Sequence, residues 1–80
     1  MRECTVEFFI EPFNENAPGS YVVAGIEAME ERDLHVTMGP FGSTVKGTVN
    51  DVSDGIGAMV SAAADDGAHR VRIEVTIDQS

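Results

Sequence analysis

A glycine-rich turn near the middle of the chain splits its hydrophobic pattern into two halves of the same order. The segment Gly39-Pro40-Phe41-Gly42-Ser43-Thr44-Val45-Lys46-Gly47 joins two short apolar runs, Leu34-His35-Val36-Thr37-Met38 and Val45-Lys46-Gly47-Thr48-Val49. Alternation of apolar and polar residues marks a strand with one buried face. Gly and Pro between two such runs mark a hairpin, because they supply the backbone angles that a reversal needs. A bulged hairpin and a ligand-binding turn make the same demand, so spacing alone leaves both readings open.

The rest of the chain supplies one strand and one helix on each side of this hairpin. In the first strand Cys4, Val6, Phe8 and Ile10 share a face, and Thr5, Glu7, Phe9 and Glu11 share the other. Pro12 ends it, having no N–H for a ladder. Ser20 is expected to cap a helix from Tyr21 to about Arg32, in which Val22, Ile26 and Met29 recur at helical spacing with Gly25 on the same side. Asn50 and Asp51 are expected to cap a second helix carrying the stripe Val52, Ile56, Met59, Val60 and Ala63, with Gly67 just past its end. Gly55 and Gly57 each weaken that helix by about 1 kcal/mol relative to Ala, which points to tight packing. The last strand is expected to turn Val71, Ile73, Val75 and Ile77 inward and Arg70, Arg72, Glu74, Thr76 and Asp78 outward.

The order is β-α-β-β-α-β. With right-handed crossovers it closes into a ferredoxin-like α+β sandwich: a four-stranded antiparallel sheet, strand order 4-1-3-2, with both helices on one face. Residues 1–80 are read as a single domain of this type. The open face then carries Glu7, Phe9, Lys46, Arg72 and Glu74 beside Thr44, Thr48, His35 and Thr37. An aromatic among polar groups suggests a partner surface. A two-fold axis would set Glu7 and Glu74 against Arg72 and Lys46, so a dimer or tetramer through this face is expected.

Charge narrows the partners. Fourteen acids against five bases give a formal net of −9, which disfavours nucleic acid and anionic membrane surfaces. No stretch approaches the ~20 apolar residues of a membrane span, and the start Met1-Arg2-Glu3-Cys4 lacks an apolar signal core, so a cytoplasmic protein is expected. The single Cys4 excludes an internal disulfide or a cysteine metal cluster. His35 and His69 have neither metal-ligand spacing nor a nucleophile arrangement beside them. Gly55-x-Gly57 lies inside a helix pattern and is too short for a dinucleotide fingerprint. An acylphosphatase-like hydrolase would need an arginine near the first loop, and Phe13-Asn14-Glu15-Asn16 has none. No catalytic residues, metal or cofactor are expected.

Several of these segments together resemble the small thiamine-binding proteins related to YkoF. The resemblance is carried by the Pro40-Phe41-Gly42-Ser43 turn closed by Lys46-Gly47, the acidic helix start that follows, Asp66-Gly67-Ala68-His69-Arg70-Val71, and a terminal strand ending near Asp78. It runs from Glu7-Phe8-Phe9-Ile10-Glu11-Pro12 to Thr76-Ile77-Asp78. It implies a ferredoxin-like fold, association through the sheets, and binding of thiamine or its hydroxymethylpyrimidine part without catalysis. The chain departs from many members at Ser43, where they have Thr, and at Lys46, where they have Glu. It also departs after Pro12, where Phe13-Asn14-Glu15-Asn16-Ala17-Pro18 replaces a Gly/Ser/Thr run.

An aminopyrimidine has ring-nitrogen acceptors, an amine donor and a flat apolar face, and each asks for a different protein group. The expected ligand-binding residues are Gly42, Ser43 and Thr44 for backbone approach and hydroxyls, Phe13 and Phe41 for walls, and Glu11 and Asn14, with Asn16, as polar partners. Lys46 opposes a cationic ligand unless Glu7 or Glu11 neutralises it. The alternative is a regulatory module that senses a different, anionic metabolite at its oligomer interface.

Overall fold

A computed structural model describes residues 2–12, 19–39 and 42–78. Its elements run β1 (Glu3–Glu11), α1 (Ser20–Glu30), β2 (Val36–Gly39), β3 (Gly42–Thr48), α2 (Val49–Asp65) and β4 (Arg70–Ile77). The four strands form one sheet in the order β2-β3-β1-β4, with every neighbouring pair antiparallel. This is the ferredoxin-like sandwich that the pattern predicts.

Alternation along β1 places Cys4, Val6, Phe8 and Ile10 in the core, each nearly inaccessible. Val45 of β3 and Val36 of β2 extend that apolar layer, and Val22, Met29, Val52, Met59 and Ala63 press down on it from the helices. Gly25 explains how α1 approaches so closely: a Cβ there would lie 2.7 Å from Ile10 Cδ1 and 3.2 Å from Met59 Cγ. Gly55 does the same beneath Leu34, whereas a Cβ on Gly57 would meet nothing within 4 Å. Tight packing therefore accounts for Gly55 and not for Gly57.

Both helix starts differ from expectation. Gly19, not Ser20, is the N-cap of α1, and no side chain caps it; the Tyr21 hydroxyl instead donates to the Pro12 carbonyl oxygen and ties α1 to the end of β1. For α2 the cap is Thr48, whose Oγ1 accepts from the Asp51 N–H at 3.2 Å, so Asn50 and Asp51 are already helical. Asp51 remains in the first turn, where a negative charge complements the helix dipole. Gly67, with φ +103, follows the C-cap Asp66 as expected.

β4 departs furthest. Its register pairs Val71, Ile73, Val75 and Ile77 with Ile10, Phe8, Val6 and Cys4, so this row does face the helix side. It is not buried: Ile73, Val75 and Ile77 are 38%, 47% and 40% exposed. The helices lie over β1, β2 and β3 and leave the outer edge uncovered. Alternation identified the face but not whether a second layer reached it.

Candidate ligand-binding cleft

The two pairings of β1 end at different places, and a cleft opens where they diverge. Against β4 the ladder runs from Cys4 to Glu11; against β3 it stops at Phe8 opposite Ser43. Among the described residues, Phe9, Ile10 and Glu11 continue beyond the last β1–β3 pair. A cleft of about 220 Å³ occupies this end of the sheet, lined by Phe8, Ile10 and Val22 from the core side, Met38, Gly39, Gly42 and Ser43 from the hairpin, and Phe9, Glu11 and Arg72 from the open side.

Gly42 sets the shape. Its φ of +144 suits glycine alone, and a Cβ there would stand 2.5 Å from Phe9 Cε1. The missing side chain is what lets the Phe9 ring lie across the hairpin. Arg72 stacks over the same ring, its guanidinium carbon 5.0 Å from the ring centre, a cation–π geometry.

Glu11 is held by two cations. Arg70 Nε donates to Oε1 and Arg72 Nε to Oε2, each at 2.9 Å. The hydrogen bond from Arg70, above all, keeps the Glu11 carboxyl below the usual carboxylate range, so it is ionised at neutral pH. Within this trio one carboxylate faces two guanidiniums, so one positive charge is in excess among the three. Each carboxylate oxygen has a further lone pair for an incoming donor.

The expected site residues separate on this geometry. Gly42, Ser43 and Glu11 line one cleft. Thr44 does not join them: it pairs with Glu7 and Thr37 on the open face, while Ser43, 7% exposed, pairs with Phe8 on the helix side. Consecutive strand residues point to opposite faces. Phe13, Phe41, Asn14 and Asn16 lie outside the described residues. Of the expected interface set, Phe9 and Arg72 wall the cleft, Phe9 half-buried rather than exposed, while Glu7, Lys46 and Glu74 remain on the open face. Lys46 stands opposite Thr5, and among the described residues it makes no ion pair with Glu7 or Glu11. Sequence reasoning did not assign Met38 or Arg70 to this corner. The signal for Arg70 lay in the β1–β4 register, which sets it opposite Glu11.

Among the described residues no three His, Cys, Asp or Glu side chains stand together to hold a metal, and no helix is long and apolar enough to cross a membrane. His35 lies just ahead of β2 and His69 just ahead of β4, both exposed.

Fold and cleft together define a small ferredoxin-like sandwich with a one-ended opening at the hairpin. A family model for thiamine-binding proteins matches residues 6–80, and the chain belongs to that family. Solved structures agree on the fold. A hypothetical protein from Methanocaldococcus jannascii is 27% identical, with a TM-score of 0.71 over 100% of this chain and 82% of its own. A domain of unknown function from Bacillus cereus is 21% identical, with a TM-score of 0.71 over 99% and 77%. A Thermotoga maritima protein described as a candidate for thiamine biosynthesis or salvage is 20% identical, with a TM-score of 0.68 over 98% and 84%. No curated protein matches the chain.

Proposed function

We propose that this protein binds the hydroxymethylpyrimidine ring of thiamine, free or as part of the vitamin, in the cleft between Phe9 and Ser43, and that it does so without catalysis. The observation that carries the reading is a family match across residues 6–80 on a chain whose hairpin cleft joins an aromatic wall, a hydroxyl and a fixed carboxylate.

Size and chemistry support the pyrimidine as the recognised part. Ligand pockets commonly span roughly 300–1,000 Å³, so a cleft of about 220 Å³ suits one ring better than a two-ring vitamin with phosphates. The Glu11 carboxylate accepts the exocyclic amine, the Ser43 hydroxyl serves a ring nitrogen, and the Phe9 face covers the heterocycle. The thiazolium then lies outside the cleft. Ser43 in place of Thr removes one methyl and leaves the same hydroxyl.

The protein acts as a cytoplasmic homo-oligomer, with Glu7, Phe9, Lys46, Arg72 and Glu74 of the open face as one contact surface. A second reading is kept by one specific observation: the surplus cation at Arg70 and Arg72 favours an anionic group, so thiamine phosphate or another phosphorylated metabolite competes as ligand.

Isothermal titration with hydroxymethylpyrimidine, thiamine and thiamine phosphate separates these readings. Binding of the first two, weakened at least tenfold by Ser43→Ala in a folded protein, supports the pyrimidine site. Binding of the phosphate alone supports the anionic reading. No binding by any of the three overturns both.

A further inference from the structure

Sulfur is unevenly placed in this chain. Met29 and Met59 lie fully buried in the core, and the Cys4 thiol is buried in β1. Met38 is 51% exposed. The difference has a local cause. Val36 and Met38 share the helix side of β2, but β2 is an edge strand and Met38 stands near its end, so the core that closes over Val36 does not reach two residues further. Ser43 stands opposite Met38, and Met38 forms part of the cleft wall with Phe9 and Val22. Among the described residues this is the one exposed thioether, and it stands at the ligand cleft.

We propose that Met38 is a redox modification site: a two-electron oxygen donor such as hydrogen peroxide converts its thioether to the sulfoxide, and that change lowers the affinity of the cleft for an apolar ring. The loss of affinity rests on the pyrimidine-binding reading; the modification does not. A sulfur lone pair takes one peroxide oxygen as the O–O bond breaks. The other oxygen leaves as hydroxide, takes up the proton of the transferred hydroxyl and departs as water. Sulfur is oxidised by two electrons and the peroxide is reduced by two. Hydrogen peroxide is neutral, so the formal net charge of −9 does not hold it off as it would an anionic oxidant. The product replaces a flexible apolar side chain with a polar, chiral one, and methionine sulfoxide reductases reverse it. A dipolar S=O then stands where Phe9, Ile10 and Val22 offer apolar contact, across from a Ser43 hydroxyl that it can engage as an acceptor. Both effects oppose a ring that needs that wall and that hydroxyl. A leucine would build the same wall without this chemistry.

Graded peroxide treatment of the whole chain, followed by peptide mass mapping, tests the site. Met38 should gain one oxygen atom well before Met29 and Met59; oxidation of all three at one rate, or of Met38 last, overturns the proposal. Amide resonances of the oxidised protein test the reach of the change. Those of Phe9, Gly42 and Ser43 should shift while Asp66 and Gly67 stay, and an unmoved cleft overturns the proposal. In isothermal titration, affinity for hydroxymethylpyrimidine should fall roughly tenfold on oxidation, the low end of what one apolar group contributes in a hydrophobic pocket. It should return after treatment with methionine sulfoxide reductase. Met38→Leu, compared with its own untreated state, should show no fall, which accounts for oxidation anywhere else, Met1 included. An equal fall in Met38→Leu, or unchanged affinity in wild type with Met38 fully oxidised, overturns the proposal. Untreated protein that binds no hydroxymethylpyrimidine overturns the pyrimidine reading instead, and the mass map and the resonances then decide on Met38 alone.

Discussion

Replacing Gly42 with Ala separates the backbone demand of the hairpin from the shape of the cleft. Two costs arise. The first is conformational: a residue with a side chain held at φ +144 loses about 1–3 kcal/mol, because only glycine adopts that region freely. The second is steric: the new Cβ would sit 2.5 Å from Phe9 Cε1. Overpacking in a closed core costs about 1–3 kcal/mol, but Phe9 is half-buried and its ring can swing outward, so this cost falls to the bottom of that range or below. The backbone term therefore dominates stability, and the ring movement appears in binding, since Phe9 is a wall of the cleft. We expect Gly42→Ala to lose about 1–3 kcal/mol in urea denaturation, a fall in Tm of about 4–8 °C per kcal/mol for a domain of this size. In a Phe9→Ala background the same substitution should cost nearly as much, with a coupling under about 1 kcal/mol. Affinity for hydroxymethylpyrimidine should fall in Gly42→Ala beyond what its stability loss explains. The reasoning is refuted by an unchanged stability, or by a cost that vanishes once Phe9 is removed.

Other outcomes follow from single sites. Gly57→Ala should stabilise the protein by about 0.5–1 kcal/mol, since a Cβ there meets nothing, whereas Gly55→Ala should destabilise it, since its Cβ would lie 2.3 Å from Leu34 Cδ1 in the core; paired thermal melts give the two signs. The lowered pKa of Glu11 means that its two arginine pairs contribute stability above the ordinary carboxylate pKa and lose it as pH falls through the folded value. The gap in stability between wild type and Glu11→Gln should accordingly be full at pH 7 and close in strong acid, as urea titrations at each pH will record. Burial, aided by the nearby Asp78 and Glu3 charges, pushes the Cys4 thiol upward, so a thiol reagent at pH 8 should modify it at the rate of unfolding rather than at the rate of a free thiol.

What the residues disclosed without coordinates was set by periodicity. Two halves of matching strand and helix patterns around one hairpin leave little freedom of topology, and the strand order came out as expected. Caps were misread because Ser20 and Asn50 have the right chemistry one or two residues inside the true boundary; Gly19 and Thr48 have the extended backbone that a cap needs. Ser43 and Thr44 were grouped as neighbours in a turn, although both lie in β3, where the pleat sends them to opposite faces. The Glu11–Arg70–Arg72 corner depends on register across residues about sixty positions apart, which periodicity within a strand does not encode. Exposure of Ile73, Val75 and Ile77 depends on how far the helix layer extends, a property of packing and not of any local pattern.

The most direct test of the central claim is to map the ligand onto the protein by following backbone amide resonances during titration with hydroxymethylpyrimidine. The account predicts saturable shifts at Phe9, Glu11, Met38, Gly42 and Ser43, with Asp66 and Gly67 beyond the end of α2 unmoved. Shifts concentrated instead at Thr37, Thr44 and Lys46 of the open face, or no shifts at all in folded protein, would contradict it.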